Sequence, residues 1–437
     1  MKTTHPSSPR PSSVRSILAV LTALLILATC AVASDDAKES VIYNFTTDFS
    51  NPNNSLTADA AGNLYGTAFD GTKYPNGAVF EFSPNQGHGW SETTLVIFNG
   101  KDGRYPSTKL ILDGQGNIYG STVEGGSGPC LNGSQYIGCG VIFELSPSSN
   151  GKWAYTVLYN FQNGNDGASP EGNLLLDSSG NLYGVTGFTS GPGSNGTVFE
   201  VERPAQQNDP WTFKTLFMFN GTNGFTPNSL TFYDGALYGT TSEGGSSNYT
   251  GSVFELKYAG GTWNYSLVYA LTGGSDGGFP NSVISGPTNV LYGTAGGGEY
   301  NYGVVFELTP GSNGAWTESV VYAFTGSTDG AIPASPLIVS GNDKLYGSTN
   351  SGGDASACSF IYPYLGCGVV FEIVPSTGTE SVLHTFTGPP SDGGGPENSG
   401  VIFDKGVLYG TTWYGGNGQC SNGSEVVGCG TVYSVIP

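Results

Sequence analysis

Positive charge is scarce in this chain. Its 437 residues hold 14 Lys and Arg against 34 Asp and Glu, and charged residues of both signs make up only 11%. Beyond residue 33 the only arginines are Arg104 and Arg203, too few for an arginine-cluster site of the sialidase type. Residues 34–437 carry a net charge of 11 − 34 = −23. A surface of that sign repels nucleic acid and anionic lipid, so neither is expected as a partner. Histidine is nearly missing too: His5, His88 and His384 leave no His-rich copper or zinc centre. There is no phosphate loop. No amphipathic helical window occurs outside the N-terminus, and no second apolar run is long enough for a membrane span.

The first apolar run reads as a secretory signal over residues 1–33. Lys2, Arg10 and Arg15 supply the basic region, Ile17 to Ala33 the apolar stretch, and Ala31-Val32-Ala33 the cleavage site. The alternative is a lipoprotein signal using Cys30, preceded by Thr29 where a smaller residue is usual. The mature chain is expected to be secreted or periplasmic, without a C-terminal anchor or a membrane span, and monomeric. Six cysteines then remain, as Cys130/Cys139, Cys358/Cys367 and Cys420/Cys429. Equal spacing, even number and a secretory signal together predict three local disulfides.

What the chain has in abundance is Gly (70), Pro (25) and a repeat. A Tyr-Gly pair recurs at Tyr65, Tyr119, Tyr183, Tyr238, Tyr292, Tyr346 and Tyr409. Such a period marks one supersecondary unit copied in tandem. Every copy has an Asx residue four places before a Pro, as in Asp166/Pro170, and then a short apolar run such as Leu174-Leu175-Leu176 (strand A). A tight turn leads to Leu-Tyr-Gly (strand B), and a Gly-rich loop to Val-Phe-Glu (strand C). A polar loop then reaches a Trp that opens an aromatic strand (strand D). Four short strands per unit and seven units predict an all-β, seven-bladed propeller spanning residues 34–437. The chain begins with a lone D strand, Val41–Phe45, and finishes with A, B and C of the last unit. The N-terminal strand is therefore expected to complete the last blade beside Gly430–Val435, leaving no free edge.

The motifs Gly180-Asn181-Leu182-Tyr183-Gly184 and Gly196-Thr197-Val198-Phe199-Glu200-Val201, with the Asp-Gly-x-x-Pro loop, resemble the GloVer tandem repeat. This is the repeat of the "choice-of-anchor tandem repeat GloVer-containing" extracellular bacterial proteins. The resemblance covers residues 40–437 and implies secretion and a repeat architecture. It carries no activity and no catalytic residues, and this chain departs from the anchored members in lacking a terminal anchor.

In an antiparallel meander the D-to-A and B-to-C loops share one face. The three cysteine loops are B-to-C loops, so that face carries the length variation and is the expected binding face. Trp413 is the one tryptophan outside the repeat, and with Tyr414 it offers an aromatic platform there. Phe69, Arg104, Tyr105, Glu124, Glu243, Glu299 and Tyr300 are further non-repeated residues assigned to the same face. The recurrent acids Asp102, Asp166, Asp276, Asp329 and Asp392 admit two readings: Asx caps of their own loops, or a Ca²⁺ site if they converge. The first functional reading is a secreted propeller that binds an extracellular glycan or a cell-surface partner without chemistry. The alternative is a glycan lyase or hydrolase using carboxylates or Tyr on that face. A third is a purely structural surface protein.

Overall fold

The tight turn between strands A and B shows how composition becomes structure. Asp59, Asp113 and Asp177 each accept two backbone N–H groups of their own turn at 2.8–2.9 Å. The Asn that follows in each turn, Asn63, Asn117 or Asn181, donates its side-chain amide to the same carboxylate. These bonds satisfy the turn's backbone locally and aim the chain back along itself. Strand B follows and pairs with C, and C pairs with D. In blade 3 the four are Ala168–Leu176, Leu182–Phe188, Thr197–Glu202 and Thr212–Met218.

The computed structural model describes residues 38–437 except 53, 86–88, 149–150, 189–194, 207–208, 246–248, 288, 313, 342, 355, 357, 359–365, 397–398 and 423–424. The expected signal segment, Cys30 and His88 lie outside the described residues. Residues 38–437 form one compact unit of seven antiparallel sheets arranged as a propeller. Strand A is innermost in each, and residues from the A segments of all seven blades line a central channel. The last blade is built from Ile402–Asp404, Val407–Thr412, Thr431–Ile436 and the N-terminal strand Lys38–Asn44. Its closing register pairs Val41 with Tyr433 and Asn44 with Thr431, and Phe45 N–H donates to Gly430 O at 3.0 Å. The expected disulfides Cys130–Cys139, Cys358–Cys367 and Cys420–Cys429 are all formed. Among the described residues no helix is long and apolar enough to cross a membrane.

One expectation is corrected. In blades 3 to 5 the recurring Pro is not in a loop before strand A but within it, as Pro170 in Ala168–Leu176, Pro227 in Phe225–Tyr233 and Pro280 in Gly278–Ser285. Strand A is the inner edge, where the missing N–H leaves no ladder bond unmade. The residue before each Pro is left-handed: Asn51, Tyr105, Ser169, Thr226, Phe279, Ile332 and Gly395 have φ between 51° and 59°. Such a conformation costs a β-branched residue about 1–3 kcal/mol. A bond to the preceding blade offsets it in every copy. The seven N–H groups donate to Cys429, Asn76, Cys139, Asn195, Thr250, Tyr302 and Cys367 carbonyls at 2.7–3.1 Å.

Packing lies between blades. Phe199 and Val201 of blade 3 pack with Tyr119 and Ile142 of blade 2. In blades 1 to 5 the Trp that opens strand D meets the Tyr of the Tyr-Gly pair one blade earlier, with ring centroids 5.7 to 6.5 Å apart. On that side the repeated Glu accepts the same Tyr hydroxyl, as Tyr183 to Glu200 at 2.7 Å. The row of acids there is part of the frame.

Candidate functional site

The B-to-C loop of blade 7 starts at Trp413, whose N–H donates to Gly395 O at 3.0 Å. The next two residues, Tyr414–Gly415, pair with Gly393–Gly394. Tyr414 lies flat on this strip. A Cβ on Gly394 or Gly395 would come within 2.3–2.4 Å of its ring, so only Gly fits beneath it. Tyr414 is therefore buried, at 2% exposure, and Trp413 is half-buried above it.

Trp413 faces a cleft of about 750 Å³ between blades 7 and 1. Cys420, Asn422 and Val427 of the disulfide loop form one wall, and Ser50, Asn51 and Asp70 of blade 1 the other. Asp70 accepts the Ser50 hydroxyl at 3.0 Å and the Asn51 amide at 2.9 Å. The left-handed φ of 57° at Asn51 belongs to the same edge of the cleft.

An aromatic row runs from this cleft across the face. Trp413 contacts Phe69 with centroids 6.0 Å apart. Phe69 stacks on Tyr105 at 4.5 Å and 6°. The Arg104 guanidinium lies over the Tyr105 ring at 4.1 Å and donates to its hydroxyl. Arg104 is held by Glu124 at 3.1 Å. Burial pushes the Glu124 carboxyl up, and the Arg104 charge pulls it partly back.

The structure thus brings together Trp413, Phe69, Tyr105, Arg104 and Glu124, with Tyr414 as support under the platform. Glu243, Glu299 and Tyr300 lie apart, exposed on the B-to-C side of blades 4 and 5, and do not line this cleft. Four members went unread in the sequence: Ser50, Asn51, Asp70 and Asn422. The signal that could find Asn51 is its place before Pro52, since the residue before Pro is left-handed in every blade.

The five recurrent acids sit on their own D-to-A turns. Asp166 accepts Gln162 N–H at 2.7 Å and the Tyr159 hydroxyl at 3.0 Å. Asp276 and Asp329 repeat this with Thr272 and Tyr269, and with Thr325 and Tyr322. Asp102 accepts Asn99 N–H at 2.9 Å, and Asp392 accepts Thr387 N–H at 2.8 Å. None lines the channel. Its upper part, about 370 Å³, is lined instead by Glu171 amid Asn54, Asn228, Asn281 and Ser282, with Phe69 at its edge. Burial pushes the Glu171 carboxyl up and the Lys109 ammonium of the lower channel down.

A closed seven-bladed propeller built from one tandem repeat is the class of protein that these features define. The chain belongs to the Gloeobacter/Verrucomicrobia repeat family, whose model matches residues 30–249, 128–362 and 195–425. No curated protein matches it in sequence. Among solved structures it is similar to a puromycin-hydrolysing peptidase of Mycobacterium tuberculosis, at 10% identity and TM-score 0.48. That match covers 85% of this chain and 52% of the other. It is also similar to a putative oxidoreductase (glucose dehydrogenase) of Thermus thermophilus, at 11% identity and TM-score 0.41, over 72% and 94%. TolB of Acinetobacter baumannii matches at 11% identity and TM-score 0.38, over 69% and 58%. At these values the likenesses carry no functional argument.

Proposed function

We propose that the protein is a secreted, non-catalytic receptor for a neutral extracellular glycan, bound in the cleft between blades 7 and 1. The observation that carries this reading is the aromatic row from Trp413 to Tyr105 beside a cleft rich in hydrogen-bonding groups. Sugar rings present apolar C–H faces that stack on aromatic side chains and hydroxyl rims that bond amides and carboxylates. Asn51, Asp70 and Asn422 supply such groups next to Trp413. The net charge of −23 on residues 34–437 disfavours a polyanion. Export through residues 1–33 and three disulfides fit an oxidising compartment.

Glycoside hydrolysis needs two carboxyl groups flanking the bond. Asp70 is the only carboxylate lining the cleft among the described residues, with Ser50 and Asn51 on its Oδ1, so no second carboxyl is there to pair with it. A lyase is the second reading, favoured by the Tyr105 hydroxyl that accepts from Arg104. A Tyr so placed can act as a base.

The test is a panel of neutral and acidic oligosaccharides, read for binding and for new reducing or unsaturated ends. Binding without product is the expected result. Trp413→Ala should weaken binding by about 1–3 kcal/mol, the loss typical of a central aromatic anchor, with the melting temperature held. Normal binding by that variant would sink the assignment, and released product would move it to the lyase.

A further inference from the structure

The seam between blades 6 and 7, where the N-terminal strand faces blade 6, is chemically unlike the other six. In the seams leading into blades 5 and 6, a D-strand Glu faces the Asp of the adjoining D-to-A turn. Glu318 faces Asp276, and Glu380 faces Asp329. Each Asp is bonded by a Tyr of the preceding blade, Tyr269 at 3.0 Å and Tyr322 at 3.1 Å. In the closing seam the same places hold Glu39, Asp392 and His384, so an imidazole stands where the sister seams have a phenol. His384 Nε2 lies 3.1 Å from Asp392 Oδ2, and ligand atoms of all three residues fall within 4.8 Å of one another.

Two polar atoms of the same blade are buried without a partner. Glu39 Oε1 is buried and has no hydrogen-bond partner, as with Glu318 Oε1 and Glu380 Oε1 in the sister seams, so what sets this seam apart is the imidazole that can share a ligand with it. Tyr433 replaces the Phe of the repeated Val-Phe-Glu strand, and its hydroxyl is likewise buried and unpartnered, in a side chain with 0% exposure. That hydroxyl lies over Gly410 of strand B, and Glu39 and Asp392 act on it electrostatically from the other side of strand C. A phenol costs more than a phenyl ring here unless something polar shares the space. Asp392 is also already oriented, with Thr387 N–H on one oxygen at 2.8 Å and Gly393 N–H on the other at 2.6 Å.

We propose that Glu39, His384 and Asp392 form a transition-metal site of the zinc type that clasps the N-terminal strand to blades 6 and 7. One imidazole and two carboxylates are a ligand set for a borderline dication, whereas Ca²⁺ and Mg²⁺ prefer oxygen alone. The thermodynamic consequence is linkage: a metal that binds only the closed ring stabilises the closure. Glu39 comes from the first described strand and the other two ligands from near residue 390, so binding joins segments separated by almost the whole ring.

The test uses the untagged, chelator-treated whole chain at pH 7.5, titrated with Zn²⁺ by calorimetry and melted with and without the ion. One Zn²⁺ per chain and a higher melting temperature are expected, with no such effect from Ca²⁺ or Mg²⁺. His384→Tyr restores the residue of the sister seams, so it should fold. It should lose more than roughly 100-fold in Zn²⁺ affinity, beyond the 10–100-fold cost of losing an outer-shell partner. Glu39→Gln should also lose the zinc-dependent rise in melting temperature. The proposal is overturned if the wild-type chain takes up no Zn²⁺, or if His384→Tyr keeps the same affinity and the same thermal shift. Neither result touches the glycan reading, which rests on the adjacent cleft.

Discussion

At residue scale, the most informative side chains are the ones that break the repeat. One place in strand D divides the blades: Tyr155, Phe213 and Tyr265 occupy it in blades 2 to 4, and Glu92, Glu318, Glu380 and Glu39 in blades 1, 5, 6 and 7. The aromatics there stack on the neighbouring blade, as Phe213 on Tyr159 at 4.1 Å. Glu318 and Glu380 instead are half-buried against an aspartate. Desolvation, with a smaller push from Asp276 or Asp329, raises each carboxyl to about 7. The other titratable groups at these seams are Tyr269 and Tyr322, whose hydroxyls burial drives up so that they stay neutral. The sign follows by linkage. A folded-state pKa above the unfolded value of 4.5 means that the folded chain holds the proton more tightly. The resulting stability is fully present below about pH 4.5 and is lost as pH rises through about 7. The melting temperature of the wild-type chain should therefore fall across that window more steeply than that of the Glu318→Gln/Glu380→Gln variant. Parallel curves from pH 4 to 8 would show that these carboxyls are not desolvated in the fold.

At the scale of elements, the repeat was legible because each landmark does the same backbone work in every copy. The Asx turn, the Tyr-Gly pair and the D-strand Trp recur in register, so four strands per unit follow from spacing and turn chemistry. The placement of Pro was not legible in the same way. A Pro beside Gly and Asp reads as a loop, and only the sheet shows strand A as an inner edge that tolerates it. The closing strand is a sharper case. Lys38–Asn44 pairs with Thr431–Ile436, and Tyr43 and Phe45 pack on Phe82 with centroids 4.7 and 6.3 Å away. Deleting residues 34–45 should leave blade 7 three-stranded, expose an unpaired edge and uncover this aromatic cluster. Thermal unfolding followed by circular dichroism should then show a large loss of melting temperature, with aggregation. An unchanged transition would mean that the ring closes without its clasp.

At the scale of the whole molecule, the candidate site exists because the ring closes. Trp413 and Phe69 were legible as departures from the repeat on the variable face. Their contact was not, since it joins the last blade to the first across more than three hundred residues. Asn51 and Asp70 were invisible for the same reason: neither is unusual in its own blade, and each becomes part of a cleft when blade 7 docks beside it. Most blades keep the frame and vary little, while blades 7, 1 and 2 contribute the aromatic row, the disulfide wall and the Arg104–Glu124 pair. One measurement tests this account most directly, namely a crystal structure of the protein with the best-binding neutral oligosaccharide. The account predicts a sugar ring stacked on Trp413, with hydroxyls on Asp70 and Asn51. A ligand seated over blades 3 to 6 or within the central channel, leaving the Trp413 cleft empty, would contradict it.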